Sequence, residues 1–281
     1  MYVRRSTLPR ANVYSRVTLS WRGVFSLAAF FVVLTTVGFL AKPAVADAPL
    51  RVMALGDSIT AGVSAGGGIS TDGGYRGTLG TLLARNGIHA EFVGTRHDYS
   101  AAIPNRAHDG WPGYVLRSFP ADPGPGQLYG ALTRNAMMRE KPDVILLMAG
   151  TNDLIRLTRH VEGYTMPHVL ESMNLLLGEI FSIDPRVRVI VAPVVASPIV
   201  STSDLAAFND GLRPIVASYV VRGDRISLAA EMADAVPRDS IHFPDTIHPS
   251  GGDGYGDVAR VWLGAIEQVS GQQPVPIAAK Q

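Results

Sequence analysis

Two short stretches, far apart in the sequence, hold residue types suited to nucleophilic chemistry. The first is Gly56-Asp57-Ser58-Ile59-Thr60-Ala61-Gly62, which follows an apolar run, Leu50 to Leu55. That run reads as a buried strand. A strand that ends at a glycine and breaks into small, polar residues makes a sharp turn, and such a turn can hold a serine hydroxyl clear of the sheet. The plainer use of the same serine is as a helix N-cap. The second stretch is Asp245-Thr246-Ile247-His248-Pro249. Its spacing lets the carboxylate curl back onto one imidazole nitrogen and leaves the other to face a hydroxyl, which keeps a base in the correct tautomer. A capping aspartate beside a surface histidine is the plainer alternative. Between the two, Asn152 in Gly150-Thr151-Asn152-Asp153 can donate an amide N–H to an oxyanion or simply form a turn. Gly110, in His108-Asp109-Gly110-Trp111, can bring a bare backbone N–H to the same place.

Around these stretches, strands and helices alternate. Apolar runs at Leu50–Leu55, Ala90–Gly94, Asp143–Met148, Arg188–Pro193 and Ile226–Leu228 read as strands. The near-continuous Val144-Ile145-Leu146-Leu147-Met148 marks a strand buried on both faces. Helical periodicity predicts helices at Tyr75–Asn86, stopped by Gly87, and from Pro167 to about Ser182. Two more are predicted over roughly Ser203–Val221 and Gly254–Val269. This alternation predicts an α/β domain with a parallel sheet covered on both faces, where functional loops gather at the carboxyl ends of the strands. Residues 63–74 form a glycine-rich loop beside Ser58, and residues 95–127 form a long irregular stretch of the kind that is often functional.

At 281 residues with 47% apolar and 17% charged side chains, the chain can bury a sizeable core. The net charge of +1 averages two regions. Residues 1–46 carry Arg4, Arg5, Arg10, Arg16, Arg22 and Lys42 and no acid, which leaves 19 basic and 24 acidic side chains beyond them, a formal −5. An acidic body without a basic stripe argues against nucleic acid as a partner. The basic start, the uncharged run Val24–Ala41 and the small-x-small Ala44-Val45-Ala46 predict an export signal, with Asp47 as the first mature residue. That run is also at the length threshold for a bilayer span, so an uncleaved membrane anchor is the alternative. In either case residues from 47 onward face outward. The expected organisation is therefore 1–46 as signal or anchor, 47–270 as one catalytic domain and 271–281 as a loose tail. Membrane contact is expected only through an uncleaved N-terminal segment. With no cysteine in the sequence, disulfides, thiolate metal sites and a thiol nucleophile are excluded.

Taken together, Gly56-Asp57-Ser58-Ile59-Thr60, a loop glycine, Gly150-Thr151-Asn152-Asp153 and Asp245-Thr246-Ile247-His248-Pro249 resemble the four motif blocks of the SGNH hydrolases, or GDSL esterases/lipases, in the same order. Within that family the chain is most similar to acetylxylan-esterase-like carbohydrate esterases. Gly73-Gly74-Tyr75-Arg76, Phe92-Val93-Gly94, His108 to Tyr114, Lys141-Pro142-Asp143 and Gly254-Tyr255 carry that similarity. The resemblance implies a flavodoxin-like three-layer α/β/α sandwich with about five parallel strands, no cofactor, and ester hydrolysis. It implies Ser58 as nucleophile, His248 as base and then acid, and Asp245 as its orienting partner. Ser58 N–H, Gly110 N–H and the Asn152 side chain would form the oxyanion hole. Asp57, Asp109 and Trp111 are candidate substrate contacts. The sequence departs from the carbohydrate-esterase pattern where Asp109 replaces a usual Glu and Trp111-Pro112-Gly113-Tyr114 replaces His-Pro-Gly-Trp.

The function expected on this basis is an exported serine esterase that removes short acyl groups, acetyl above all, from a carbohydrate or another small ester. A lipase or lysophospholipase for longer chains and a cell-envelope sugar acyltransferase use the same residues. A non-catalytic carbohydrate-binding module fits least, because Ser58, Asn152, Asp245 and His248 are all intact. His97 and His108, each beside an aspartate, read as solvated loop residues and not as metal ligands. Arg76 reads as a loop anchor and Trp262 as core.

Overall fold

The computed structural model describes residues 48–270, apart from 71, 100, 101, 121, 123 and 125. The expected signal or anchor at 1–46 and the tail at 271–281 lie outside the described residues. Strand β1 (Leu50–Gly56) leads into a four-residue helix, α1 (Ser58–Ala61), and then α2 (Tyr75–Arg85), β2 (Ala90–Val93) and the two-residue β3 (Asp109–Gly110). Next come α3 (Ala131–Glu140), β4 (Val144–Met148), α4 (Thr151–Thr158) and α5 (Met166–Ile183). The chain closes with β5 (Arg188–Val191), α6 (Thr202–Val221), β6 (Ile226–Leu228) and α7 (Asp253–Ser270). The sheet is parallel throughout, in the order β2-β1-β4-β5-β6, with β3 added on β1 beyond the end of β2. It thus has the five expected strands and one short extra one.

Strand alternation sends side chains to opposite faces, and the core divides accordingly. Val52, Ala54, Leu146, Met148 and Ile190 point toward α2 and α7, where Tyr75, Leu79, Tyr255 and Trp262 are buried. Met53, Leu55, Ile145, Leu147 and Val189 point toward α3, α5 and α6, against Met137, Met173, Leu177 and Phe208. This is the expected three-layer sandwich. No helix among the described residues is long and apolar enough to cross a membrane.

Register positions the chemistry. Gly56, the last residue of β1, lies opposite Gly110 on one side and Met148 on the other. Three strands therefore end at one level, and the segments that follow them (Ser58, Trp111 and Thr151-Asn152) are neighbours. The approach is too close for side chains. A Cβ on Gly56 would lie 2.1 Å from the Met148 carbonyl oxygen, and one on Gly110 would lie 2.2 Å from the Ala61 nitrogen.

Candidate active site

Ser58 is the first residue of α1 and its hydroxyl lies 2.9 Å from His248 Nε2, although 190 residues separate the two in sequence. His248 Nδ1 lies 2.7 Å from Asp245 Oδ2. The tautomer with the proton on Nδ1 satisfies both contacts: Nδ1–H donates to the carboxylate and Nε2 accepts from the serine. Asp245 is held by four donors. Its Oδ1 accepts from the main-chain N–H groups of Ile247 (3.0 Å) and His248 (2.7 Å), and its Oδ2 from His248 Nδ1 and from Gly66 N–H at 3.0 Å. Partial burial would raise its pKa, but the hydrogen bonds from His248 and Ile247 outweigh that and hold the carboxyl at about 2. The acid is thus ionised wherever a histidine can act as base.

The short helix that presents Ser58 is fastened at both ends. At its start Asp57 accepts from Ile59 N–H at 3.0 Å as an N-cap. At its end Gly62 takes the left-handed conformation, φ 86°. The fully buried Arg76 donates from Nε to the Thr60 carbonyl (3.2 Å), from Nη2 to the Ala61 carbonyl (2.9 Å) and from Nη1 to the Arg106 carbonyl (3.1 Å). Burial pulls this guanidinium down to about 10, so it stays charged at neutral pH, next to the negative end of the helix. Arg76 is the anchor expected of it, and what it anchors is the serine helix.

The donors around Ser58 differ from expectation in one respect. Ser58 N–H stands in the first turn of α1, where the helix offers it no partner. Asn152 lies in the first turn of α4 and donates one Nδ2 hydrogen to the Tyr114 carbonyl at 2.9 Å, which orients the amide and leaves its second hydrogen. Gly110 N–H, however, donates to His108 Nδ1 at 3.0 Å. A single N–H already given to an imidazole is not a free donor, so Gly110 drops out of the expected oxyanion trio in this conformation. His108 is fully buried, not solvated as its loop position suggested. Burial, then the charge of Arg76, pushes its pKa down to about 3, so it is neutral, with Nε2–H directed to the Asp98 carbonyl at 2.9 Å.

Two of the three candidate substrate contacts are corrected by burial. Asp57 is 1% exposed and serves as the cap described above, with burial raising its carboxyl. Asp109 is 0% exposed and accepts from Thr95 N–H (3.1 Å) and Thr95 Oγ1 (2.6 Å), with burial pushing it up to about 6. Trp111 is half-buried beside Tyr114, their ring centroids 5.2 Å apart, and Arg96 lies 4.5 Å from its ring centroid. No group of three or more acidic or histidine side chains among the described residues is placed to hold a metal. Sequence reasoning missed Gly66, whose tract beside Ser58 was the available signal, and Ser197, which donates to the Thr246 carbonyl at 2.8 Å from a loop with no distinguishing pattern.

The chain resembles known proteins in the same region. A Ruminococcus flavefaciens "Multidomain esterase" is 27% identical over 234 residues, 78% of this chain. The chain spans 28% of that relative's length. Among solved structures, a Clostridium thermocellum family 3 carbohydrate esterase superposes with a TM-score of 0.61 at 23% identity, over 80% of this chain and 98% of the other. A carbohydrate esterase family 3 protein from Talaromyces cellulolyticus gives a TM-score of 0.61 at 20% identity, over 80% of this chain and 100% of the other. At these identities the two structures speak for the fold. The profile of the GDSL-like Lipase/Acylhydrolase family matches residues 54–255, which runs from the strand before Ser58 past His248. The chain belongs to that family of carboxylic ester hydrolases.

Proposed function

We propose that the protein is an exported serine esterase that removes short acyl groups, acetyl foremost, from a carbohydrate. The observation that carries this reading is the continuous line Ser58 Oγ–His248–Asp245, with contacts of 2.9 and 2.7 Å. A serine hydroxyl is a weak nucleophile at neutral pH, so His248 Nε2 takes its proton as Oγ attacks the ester carbonyl. Asp245 holds the imidazolium that forms. The carbonyl oxygen becomes an oxyanion that accepts from Ser58 N–H and the second Asn152 Nδ2 hydrogen, each worth about 3 kcal/mol to the barrier. His248 then gives its proton to the leaving alkoxide, which departs as the free hydroxyl of the sugar and leaves an acyl-serine. Water, deprotonated by the same nitrogen, attacks the acyl carbon and releases the carboxylic acid.

The carbohydrate part of the reading is supported by the family 3 carbohydrate esterase neighbours and by Trp111, the expected substrate contact that stays partly exposed. Export is supported by the basic, apolar and small-residue order of residues 1–46. Labelling with a fluorophosphonate probe, followed by identification of the modified peptide, tests the nucleophile. The label is expected on Ser58, and labelling that persists in Ser58→Ala would refute the assignment. Rates on nitrophenyl esters of increasing length test the acyl preference. A peak at acetate or propionate is expected, and a peak at eight carbons or more would favour a lipase. N-terminal sequencing of protein recovered from the medium is expected to begin at Asp47.

A further inference from the structure

The turn that carries the acid and the base contains a strained residue. Thr246, directly after Asp245, has φ 67° and is the one β-branched residue in the left-handed region among the described residues. Branching at Cβ makes that region costly, and glycine reaches it freely. Two donors from the loop after β5 converge on the Thr246 carbonyl: Ser197 Oγ–H at 2.8 Å and Ile199 N–H at 3.0 Å. Ser197 is fully buried. The carbonyl they hold belongs to the peptide whose N–H, on Ile247, donates to Asp245 Oδ1. Turning Thr246 into an unstrained conformation would swing this peptide, withdraw that N–H from the carboxylate and carry His248 away from Ser58.

We infer that Ser197 is a positioning residue for the proposed esterase, a clamp that keeps Thr246 left-handed so that Asp245 and His248 stay aligned on Ser58. The inference rests on the esterase reading above. Glycine at 246 would adopt this turn without strain; with threonine there, the bond from Thr246 N–H to the Phe243 carbonyl (3.0 Å) needs the two donors from the other segment beside it.

The decisive comparison is Ser197→Ala against Ser197→Ala/Thr246→Gly. The single variant is expected to lose about tenfold in kcat on nitrophenyl acetate, with KM within about twofold, because small misplacements of a base act on the chemical step. The downfield proton resonance of His248 Nδ1–H, bonded to Asp245, is expected to weaken or disappear with it. Adding Thr246→Gly is expected to return kcat to within about threefold of the parent and to restore the resonance. Ordinary loss of packing at Ser197 would not be repaired by a glycine at 246. If Ser197→Ala alone fails to accumulate as soluble protein, the double variant is expected to do so. Parental kcat and resonance in Ser197→Ala, or a defect that Thr246→Gly leaves in place, would overturn the inference. The resonance is read without turnover, so it still decides the clamp even if Ser58→Ala were to show that the esterase reading itself is wrong.

Discussion

The two sides of the site are held by different means. Ser58 stands on a helix of four buried residues, set by the register of three strands and tied down by a buried arginine. His248 stands on a loop between Phe243 and Ser250, partly open to solvent, and is placed by hydrogen bonds among a few residues of that loop, Gly66 and Ser197. The position of Ser58 is therefore a property of the whole fold, whereas that of His248 is a property of a handful of polar contacts. Changes to the support of Ser58 should register in stability as well as rate, and changes on the histidine side chiefly in rate.

The largest effect separates the chemical group from its support. Ser58→Ala is expected to reduce turnover by about 10⁴-fold or more. Its thermal midpoint should stay within about 2 °C of the parent, because one hydroxyl is lost and no helix contact is touched. Asp245→Asn is expected to lower kcat by about 10²- to 10⁴-fold with only a modest loss of stability, that of the ionised carboxylate, since the side chain is partly exposed. Comparable losses of rate and stability in this variant would erase the distinction between the two sides. Arg76→Lys sharpens it from the other direction. An ammonium cannot reach three carbonyls at once, so urea unfolding is expected to show a loss of about 2–4 kcal/mol, with kcat falling alongside.

The remaining effect is one of pH. Burial pushes Asp153, on the first turn of α4, up to about 8, although its oxygens accept from Leu116 N–H. Between about pH 4 and 8 the unfolded chain has released this proton while the folded chain retains it, so stability from this group falls as pH rises. Asp245, held at about 2, has the opposite sense, and its contribution is lost only as pH falls from about 4 toward 2. Asp153→Asn is expected to flatten the decline of the thermal midpoint between pH 5 and 8. An unchanged slope would assign that decline to other groups.

Much of this was legible in the residues. The five principal strands lie where apolar runs placed them, since a doubly covered parallel strand such as Val144–Met148 has no polar position to disguise it. Four of the larger helices agree with their predicted spans to within a residue or two. Helix α3 was invisible because Ala131–Glu140 buries only Thr133, Ala136 and Met137, too thin a stripe to read as a period. Helix α4 was hidden by Gly150-Thr151-Asn152, which reads as a turn and is in fact a helix start. Ser58, Asp245 and His248 do meet at one place, and Asn152 follows the strand paired beside β1. What the residues could not reveal was the burial of titratable groups: Asp57, His108 and Asp109 read as accessible in sequence and are enclosed, because backbone N–H groups and neighbouring side chains reach them only after the chain has folded.

Strand β1 comes first among the sheet strands in sequence, yet it lies inside the sheet, and its neighbour β4 begins 88 residues after β1 ends. Pairings of such long span are slow to form. His248 arrives another hundred residues on. During synthesis or refolding, Ser58 must wait for almost the entire domain to assemble before it meets His248. The proposed ester turnover would thus be a late reporter, one that stays silent on half-built forms.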